Sequence, residues 1–278
     1  MGFEAKLQRD SEIPNHRQRL IKAIECDLVS DENILAIFYG GSVGNNTTDL
    51  YSDIDLRIVV KDDAFEKYRL NKKQRARNWG PVLFYEDLPW ATHSIAHYES
   101  FIKVDTFYYK PKDIQPSVWL QDIKIVRDTK SLVMNALIKS MSLSYKPSVQ
   151  EVEIWRTKFF AYVHEAYRRV MRKEIYYALH CLDQIRLSMV TAWYMEAGHQ
   201  PNTFGDWAKL EGSRSKLWDW QLELLEAWHC GRDPIEIMNV IKGILPEFES
   251  VHKNLCRLVG LAEDREWVEA VFNMIFLG

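Results

Sequence analysis

Short apolar runs separated by turns characterise the chain up to about residue 145. Ile34–Tyr39 is uniformly apolar and ends at Gly40 and Gly41, a pattern typical of a buried strand. Ile54–Val60 and residues 101–109 are rich in β-branched and aromatic side chains, and each predicts a further strand. Because helical patterns lie between these runs, this part of the chain is predicted to be an α/β module. Its other predicted elements are a strand at 81–85 and helices at 15–29, Val118–Asp122 and 130–140.

Beyond residue 148 the apolar positions recur at helical spacing. Trp155 and Phe159 begin this pattern, four residues apart on one predicted helix face. Residues 141–148 have the composition of a linker, so the sequence predicts two domains, 1–147 and 148–278. The second is predicted to be an α-helical bundle, with later helices at 217–228, 235–259 and 264–276.

The composition fits a chain that folds without cross-links. Hydrophobic residues make up 47% of the 278 residues and charged residues 27%, ordinary values for a soluble globular protein. The net charge of −3 argues against a dedicated nucleic-acid binder, which is usually strongly basic. The cysteines form no C-x-x-C pair and no apolar signal segment precedes the first helix, so free thiols and a cytoplasmic location are expected. No apolar run approaches the roughly 18 residues of a membrane span, so no membrane partner is expected.

The candidate chemistry begins where the first strand, Ile34–Tyr39, meets a glycine turn. Gly41 lets backbone N–H groups approach a phosphate closely, and the Ser42 hydroxyl adds a hydrogen-bond donor. The alternative is that Ser42 caps a helix, and both roles are compatible because a capped helix N-terminus binds anions. Gly41 and Ser42 are therefore predicted to bind a phosphate.

Two carboxylates follow about ten residues later. Asp53 and Asp55 flank Ile54, and because strand side chains alternate, both acids face one side while Ile54 points into the core. Side-by-side carboxylates repel each other unless a cation lies between them, and Mg²⁺ prefers such oxygen ligands. The alternative is a solvated turn, since Asp and Ser are common in turns.

A third carboxylate fits the same site. Asp105 lies inside an apolar strand, where an isolated acid is costly to bury unless it is paired or bound to metal. If that strand neighbours the strand that carries Asp53 and Asp55, three carboxylates converge and could hold two metal ions. Lys103 shares a strand face with Asp105 by alternation, and it is predicted to contact a phosphate. The alternative for Asp105 is an exposed acid on an edge strand.

The glycine–serine turn, the spaced acid pair and the distant third acid together resemble the nucleotidyltransferase superfamily typified by DNA polymerase β. The order of parts, a strand-containing module followed by a helical bundle, is similar to the streptomycin-type aminoglycoside adenylyltransferases and the lincosamide nucleotidyltransferases within it. The motif resemblance covers about residues 34–109. A looser likeness over about 150–230 includes residues 172–179 and the Asp183 that follows them.

This resemblance implies an α+β fold, in which a polymerase-β-like nucleotidyltransferase domain with a mixed sheet precedes an α-helical substrate-binding domain. It implies transfer of AMP, or another nucleoside monophosphate, from ATP or another nucleoside triphosphate to a hydroxyl of a small acceptor. The acceptor would be an aminoglycoside- or lincosamide-like antibiotic, bound in the cleft between the domains. Asp53, Asp55 and Asp105 would be catalytic ligands of two Mg²⁺ ions. Asp183 is the implied general base, with Glu165 as the alternative.

Two other functions stay open at this stage. One is a catalytically silent nucleotide sensor, and the other is a protein AMPylator. The full set of acids argues against the sensor, and the long helical bundle argues against the AMPylator. A separate cluster of six basic residues lies between residues 67 and 77. A solvated helix face is its preferred interpretation, and contact with a triphosphate or RNA is the alternative.

Overall fold

The computed structural model describes residues 6–203 and 205–276. The chain divides into two units, the first ending at Leu143 and the second beginning at Ser144. This division lies inside the predicted linker, 141–148. The first unit contains helices α1 (Leu7–Ser11), α2 (Ile13–Val29), α3 (Gly41–Gly44), α4 (Phe65–Leu70), α5 (Lys72–Ala76) and α6 (Leu132–Ser140), and strands β1 (Ile34–Tyr39), β2 (Ile54–Val60), β3 (Val82–Glu86), β4 (His93–Tyr98), β5 (Lys103–Tyr109) and β6 (Lys124–Asp128). The second unit contains helices α7 (Val149–Met171), α8 (Ile175–Glu196), α9 (Asp219–Ala227), α10 (Pro234–Val259) and α11 (Arg265–Asn273).

A six-stranded sheet is the framework of the first unit. Its strands lie in the order β3-β4-β5-β2-β1-β6. β2 and β5 pair in parallel, whereas the other pairings among the described strands are antiparallel. A mixed sheet followed by a helical unit is the predicted α+β fold class, which is confirmed.

The central strands have the bounds that their apolar runs predict. All of β1 is buried, and so is all of β2 except Asp55. Strands covered on both faces need nearly continuous apolar runs, which is why the sequence pattern locates them well. The strands predicted at 81–85 and 101–109 are present as β3 and β5, with slightly shifted ends. β4 and β6 are absent from the prediction.

The two faces of the sheet are covered by different helices of the first unit. Leu20 and Ile24 of α2 belong to the core on one face. On the other face, Val133 of α6 packs in a smaller cluster with Phe38 of β1. Phe38 is the register partner of Arg57 in β2, so Asp55, two residues before Arg57, lies on this second face.

Aromatic side chains build the core of the second unit. Phe248 of α10 stacks on Trp155 and Phe159 of α7, with ring centroids 5.3 and 4.1 Å apart. The Trp155 indole N–H donates to the carbonyl of Ser188 in α8 at 2.7 Å. Such pairs contribute about 0.5–1.5 kcal/mol beyond the burial of their area, so these three helices are tied together by specific contacts.

Two expectations drawn from composition concern the thiols and the membrane. All four cysteines are free, with Cys181 and Cys256 buried and Cys26 exposed, as their spacing predicts. Within the ranges that the structure describes, no helix combines the length and apolar character needed to cross a bilayer.

The basic cluster at 67–77 is only partly the solvated helix face that was expected. Lys72 is buried, and its ammonium lies 2.8 Å from the Asp87 carboxylate. Arg75 donates to Asp27 and Asp31 at 3.0 and 2.9 Å. The expectation is wrong for Lys72 and Arg75, because acids distant in sequence hold them inside the unit, where a buried charge must be paired.

His252 is a buried titratable group in the second unit. Its Nε2 lies 3.3 Å from the Cys256 Sγ and 3.4 Å from a guanidinium nitrogen of Arg156. Burial, reinforced by the Arg156 charge, lowers the pKa of His252 to about 4. An unfolded histidine titrates near 6.5. Between these values the unfolded chain binds a proton that the folded protein excludes.

The free energy of unfolding is therefore expected to fall as the pH is lowered from about 6.5 towards 4, because protonation favours the unfolded state. The full contribution of His252 is about 3 kcal/mol, at about 1.4 kcal/mol per pKa unit. Urea unfolding at pH 7 and pH 5 measures the part of this contribution that is lost above pH 5, about 2 kcal/mol, with His252→Gln as the variant that lacks the titrating ring. An equal loss of stability on acidification in both proteins would contradict this assignment.

Candidate active site

The glycine turn after β1 lies directly against Asp55, the second acid of the pair. Gly41 begins α3 with a φ of +55°, a conformation that glycine adopts without strain. A Cβ at this position would lie 2.0 Å from the Asp55 Oδ2. The backbone of Gly41 therefore touches the Asp55 carboxylate, and glycine is required there both for its φ and for its lack of a side chain.

Ser42 is the second residue of α3, and Gly40 occupies the N-cap position. The alternative interpretation of Ser42 as a helix cap is therefore wrong. Its hydroxyl is buried and has no hydrogen-bond partner among the described residues. A buried polar group without a partner costs free energy, so this hydroxyl is a candidate donor to a ligand.

The three predicted acids come together at one end of the parallel pair. Asp55 of β2 and Asp105 of β5 are register partners, so their side chains lie side by side on the same face. Asp53 precedes β2, and its Oδ2 lies 3.0 Å from the Nζ of Lys103. The same Nζ lies 3.1 Å from the Asp105 Oδ2. One ammonium therefore lies between two of the three carboxylates.

Burial and charge shift the pKa values inside this cluster. Burial raises the pKa of Asp105, and the negative charges of Asp53 and Asp55 raise it further against the opposing effect of Lys103. Burial alone would lower the pKa of the Lys103 ammonium, but Asp53 and Asp105 outweigh that effect and raise it. The lysine is therefore charged at neutral pH, as an internal counter-ion.

Arg57 is a site residue that the sequence analysis did not single out. Its guanidinium is buried and donates to the Asp55 Oδ1 at 3.3 Å. It lies over the Phe107 ring at 3.9 Å and over the Trp119 ring at 5.2 Å. The strand alternation that places Asp53 and Asp55 on one face also places Arg57 there, so the sequence could have predicted that Arg57 belongs to the site. No sequence pattern indicated that Trp119 lies at the site.

The carboxylates suit a divalent cation in chemistry, although they are not gathered as a ready-made cage. Among the described residues, no group of three His, Cys, Asp or Glu side chains is arranged closely enough to hold a metal ion. The Asp105 Oδ1 is nevertheless buried and has no partner in the described part of the chain. An orphaned carboxylate oxygen beside two further acids is a donor set that Mg²⁺ accepts. The oxygen donors of these three acids therefore suit such a metal by their chemistry, but not by their present arrangement.

The two candidate bases lie in the second unit, on neighbouring helices. Asp183 of α8 accepts a hydrogen bond from the Trp207 indole at 3.3 Å, and both line a cavity of ≈330 Å³. Glu165 of α7 pairs with Arg169 and, at 3.3 Å, with Arg168. Hydrogen bonding from Arg169 holds the pKa of Glu165 below its ordinary value. That pairing with Arg169 lowers the basicity of Glu165.

Comparison with known proteins by sequence gives no match, either to a protein family or to a curated protein. Comparison by structure gives several. An aminoglycoside 6-adenyltransferase from Bacillus subtilis is 12% identical, with a TM-score of 0.40 over 95% of this chain and 98% of that one. A nucleotidyltransferase-like protein from Exiguobacterium sibiricum is 10% identical, with a TM-score of 0.45 over 87% of this chain and 78% of that one.

A third similar structure is a cyclic dinucleotide synthase from Elizabethkingia meningoseptica, with GTP and Apcpp. It is 12% identical, with a TM-score of 0.29 over 92% of this chain and 90% of that one. These three structures are between 10% and 12% identical to this chain, and their TM-scores lie below 0.5. At these levels of similarity, an assignment of function depends on the geometry of the site itself.

Proposed function

We propose that this protein is a metal-dependent nucleotidyltransferase that moves AMP, or another nucleoside monophosphate, from a nucleoside triphosphate to a hydroxyl of a small molecule. One observation carries the proposal, the convergence of three acids and a glycine turn at one end of the parallel strand pair. Asp55 and Asp105 are register partners, and Gly41 lies against Asp55. Asp53 shares the Lys103 ammonium with Asp105.

The phosphate side of the site has its donors at the turn after β1. The unpartnered hydroxyl of Ser42 is available to donate to a β- or γ-phosphate oxygen. Because Gly41 carries no side chain, the Asp55 carboxylate lies directly against this turn, which places a proposed metal ligand next to the proposed phosphate donor. Asp53, Asp55 and Asp105 would hold Mg²⁺, which supplies polarisation of the α-phosphate and offsets the charge on leaving pyrophosphate.

The proposed reaction is a single displacement at the α-phosphorus. The acceptor oxygen forms a bond to that phosphorus, the bond from the phosphorus to the bridging oxygen breaks, and pyrophosphate leaves with the electron pair. The acceptor's proton passes to a carboxylate, for which Asp183 is the proposed base. The proposed acceptor is an aminoglycoside- or lincosamide-like antibiotic.

The test combines binding and turnover. Calorimetry with ATP and Mg²⁺ is expected to show nucleotide binding that needs the metal. A pyrophosphate-release assay across a panel of aminoglycosides and lincosamides, with CTP, GTP and UTP beside ATP, is expected to show turnover with at least one acceptor. Omission of the acceptor is the matched control, because hydrolysis alone does not depend on it.

Two results would contradict the proposal. Absence of nucleotide binding would remove the site assignment altogether. Binding without turnover on any small acceptor would favour the silent sensor. Labelling of proteins, but not of small molecules, by radioactive ATP would favour the AMPylator.

A further inference from the structure

The position of Lys103 bears on how many metal ions the site takes. Its Nζ lies 3.0 Å from the Asp53 Oδ2 and 3.1 Å from the Asp105 Oδ2. A cation that bridges these two carboxylates would have to lie where this ammonium lies. Lys103 lies in β5, two residues before Asp105 and on the same face of the strand. The alternation of side chains along the strand therefore places its ammonium next to the acids.

Asp55, the remaining acid of the cluster, is also paired with a cationic side chain of this chain. Asp55 accepts from the buried guanidinium of Arg57, which Phe107 and Trp119 hold by their rings. The cluster thus contains three carboxylates and two cationic side chains, a formal charge of −1 when all five are ionised. The Lys103 ammonium already lies between the carboxylates of Asp53 and Asp105, so a divalent ion that bridged those two acids would lie within a few Å of a positive charge, which repels it.

We propose that the Lys103 ammonium takes the place of one of two cations, so that the site binds a single divalent ion together with the nucleotide. This inference rests on the proposed function and refines it, because a site of three acids alone predicts two ions. The ammonium uses two of its three N–H donors on Asp53 and Asp105, and no third partner is found among the described residues. The remaining donor is available to a substrate oxygen.

Lys103 and a metal ion differ in what they do to that oxygen. A hydrogen bond from the ammonium stabilises negative charge as it develops, and the proton stays on nitrogen throughout. The acceptor's own proton must therefore leave to a separate base, as the proposed reaction already requires. Lys103 is in this sense a catalytic residue as well as the counter-ion of two acids.

The test counts bound Mn²⁺ by electron paramagnetic resonance in the presence of α,β-methylene-ATP. The wild-type protein is expected to bind one Mn²⁺ per chain and to give an uncoupled spectrum. Lys103→Met, which keeps the length of the side chain and removes its charge, is expected to bind two ions with a spin-coupled spectrum. Lys103→Arg keeps the charge and is expected to bind one. Lys130→Met, at an exposed position after β6, is the matched control and is expected to behave as wild type.

Each other outcome overturns the inference in a distinguishable way. Two coupled Mn²⁺ ions on the wild-type protein would show that Lys103 leaves the site when metal enters. A single ion on Lys103→Met, with circular dichroism unchanged, would show that the ammonium excludes nothing. If Lys103→Met fails to fold, the number of Mn²⁺ ions bound by the wild-type protein still tests the inference. Absence of both Mn²⁺ and nucleotide binding to the wild type would overturn the proposed function itself.

Discussion

Replacing Asp53 by asparagine is expected to lower nucleotidyl transfer by about 10³-fold or more, the order of loss seen when a group that stabilises developing charge is removed. The substitution keeps the shape of the side chain but removes its charge. Asp53 lies before β2, and its side chain is partly exposed, with Lys103 as its ion-pair partner. Because it is not part of the buried core, we expect the fold to remain intact.

Steady-state pyrophosphate release measures this loss, and circular dichroism together with the urea midpoint checks the fold. Asp63→Asn is the matched control, since Asp63 is an exposed acid after the opposite end of β2. It is expected to retain wild-type turnover. Retention of turnover by Asp53→Asn within about threefold would show that this acid does not bind the metal, a loss far smaller than such a ligand contributes.

Gly41→Ala is expected to damage the site through its shape alone. The new Cβ would lie 2.0 Å from the Asp55 Oδ2, a distance that forces either the turn or the carboxylate to move. A displacement of about 1 Å at a reacting centre can cost about 10²-fold in rate. The φ of +55° also strains the backbone of an alanine at this position, which lowers the free energy of unfolding by about 1–2 kcal/mol.

Gly260→Ala separates these two effects. Gly260 ends α10 with a φ of +74°, and nothing lies within 4 Å of an added Cβ. This control is therefore expected to lose a similar stability and no activity. Equal activity in Gly41→Ala and the wild type would contradict the contact between the turn and Asp55. A lower metal affinity in Gly41→Ala alone, measured with Mn²⁺, would support it.

The parts of the fold that sequence patterns predict are those where one local signal dominates. β1 and β2 are nearly continuous apolar runs, and the long helices repeat their apolar positions at helical spacing. β4 was missed because its buried positions include Ser94 and Ala96, so polar and small residues replace the apolar alternation that marks a strand. β6 is short, lies at an edge of the sheet and has no fully buried residue.

The candidate site likewise has some features that local sequence patterns predict and others that they do not. Alternation predicts that Asp53 and Asp55 share a face, and that Lys103 shares one with Asp105. Sequence alone leaves open whether these two faces meet, because the pairing of β2 with β5 joins strands that are distant along the chain. The partners of Lys72 and Arg75 were missed for the same reason, because a run of basic residues does not indicate which distant acids will pair with it in the fold.

The parallel pairing of β2 with β5 has a consequence for how the protein reaches its folded state. After β2 the chain passes through α4, α5 and the β3–β4 hairpin before it returns as β5. Closing this long excursion costs conformational entropy before the strands gain any contact in return. A refolding intermediate that has its helices and hairpins but has not yet paired β2 with β5 does not have Asp55 and Asp105 side by side, so its candidate active site is not assembled. Recovery of nucleotide binding should therefore lag behind recovery of helical structure when the denatured chain is diluted into buffer.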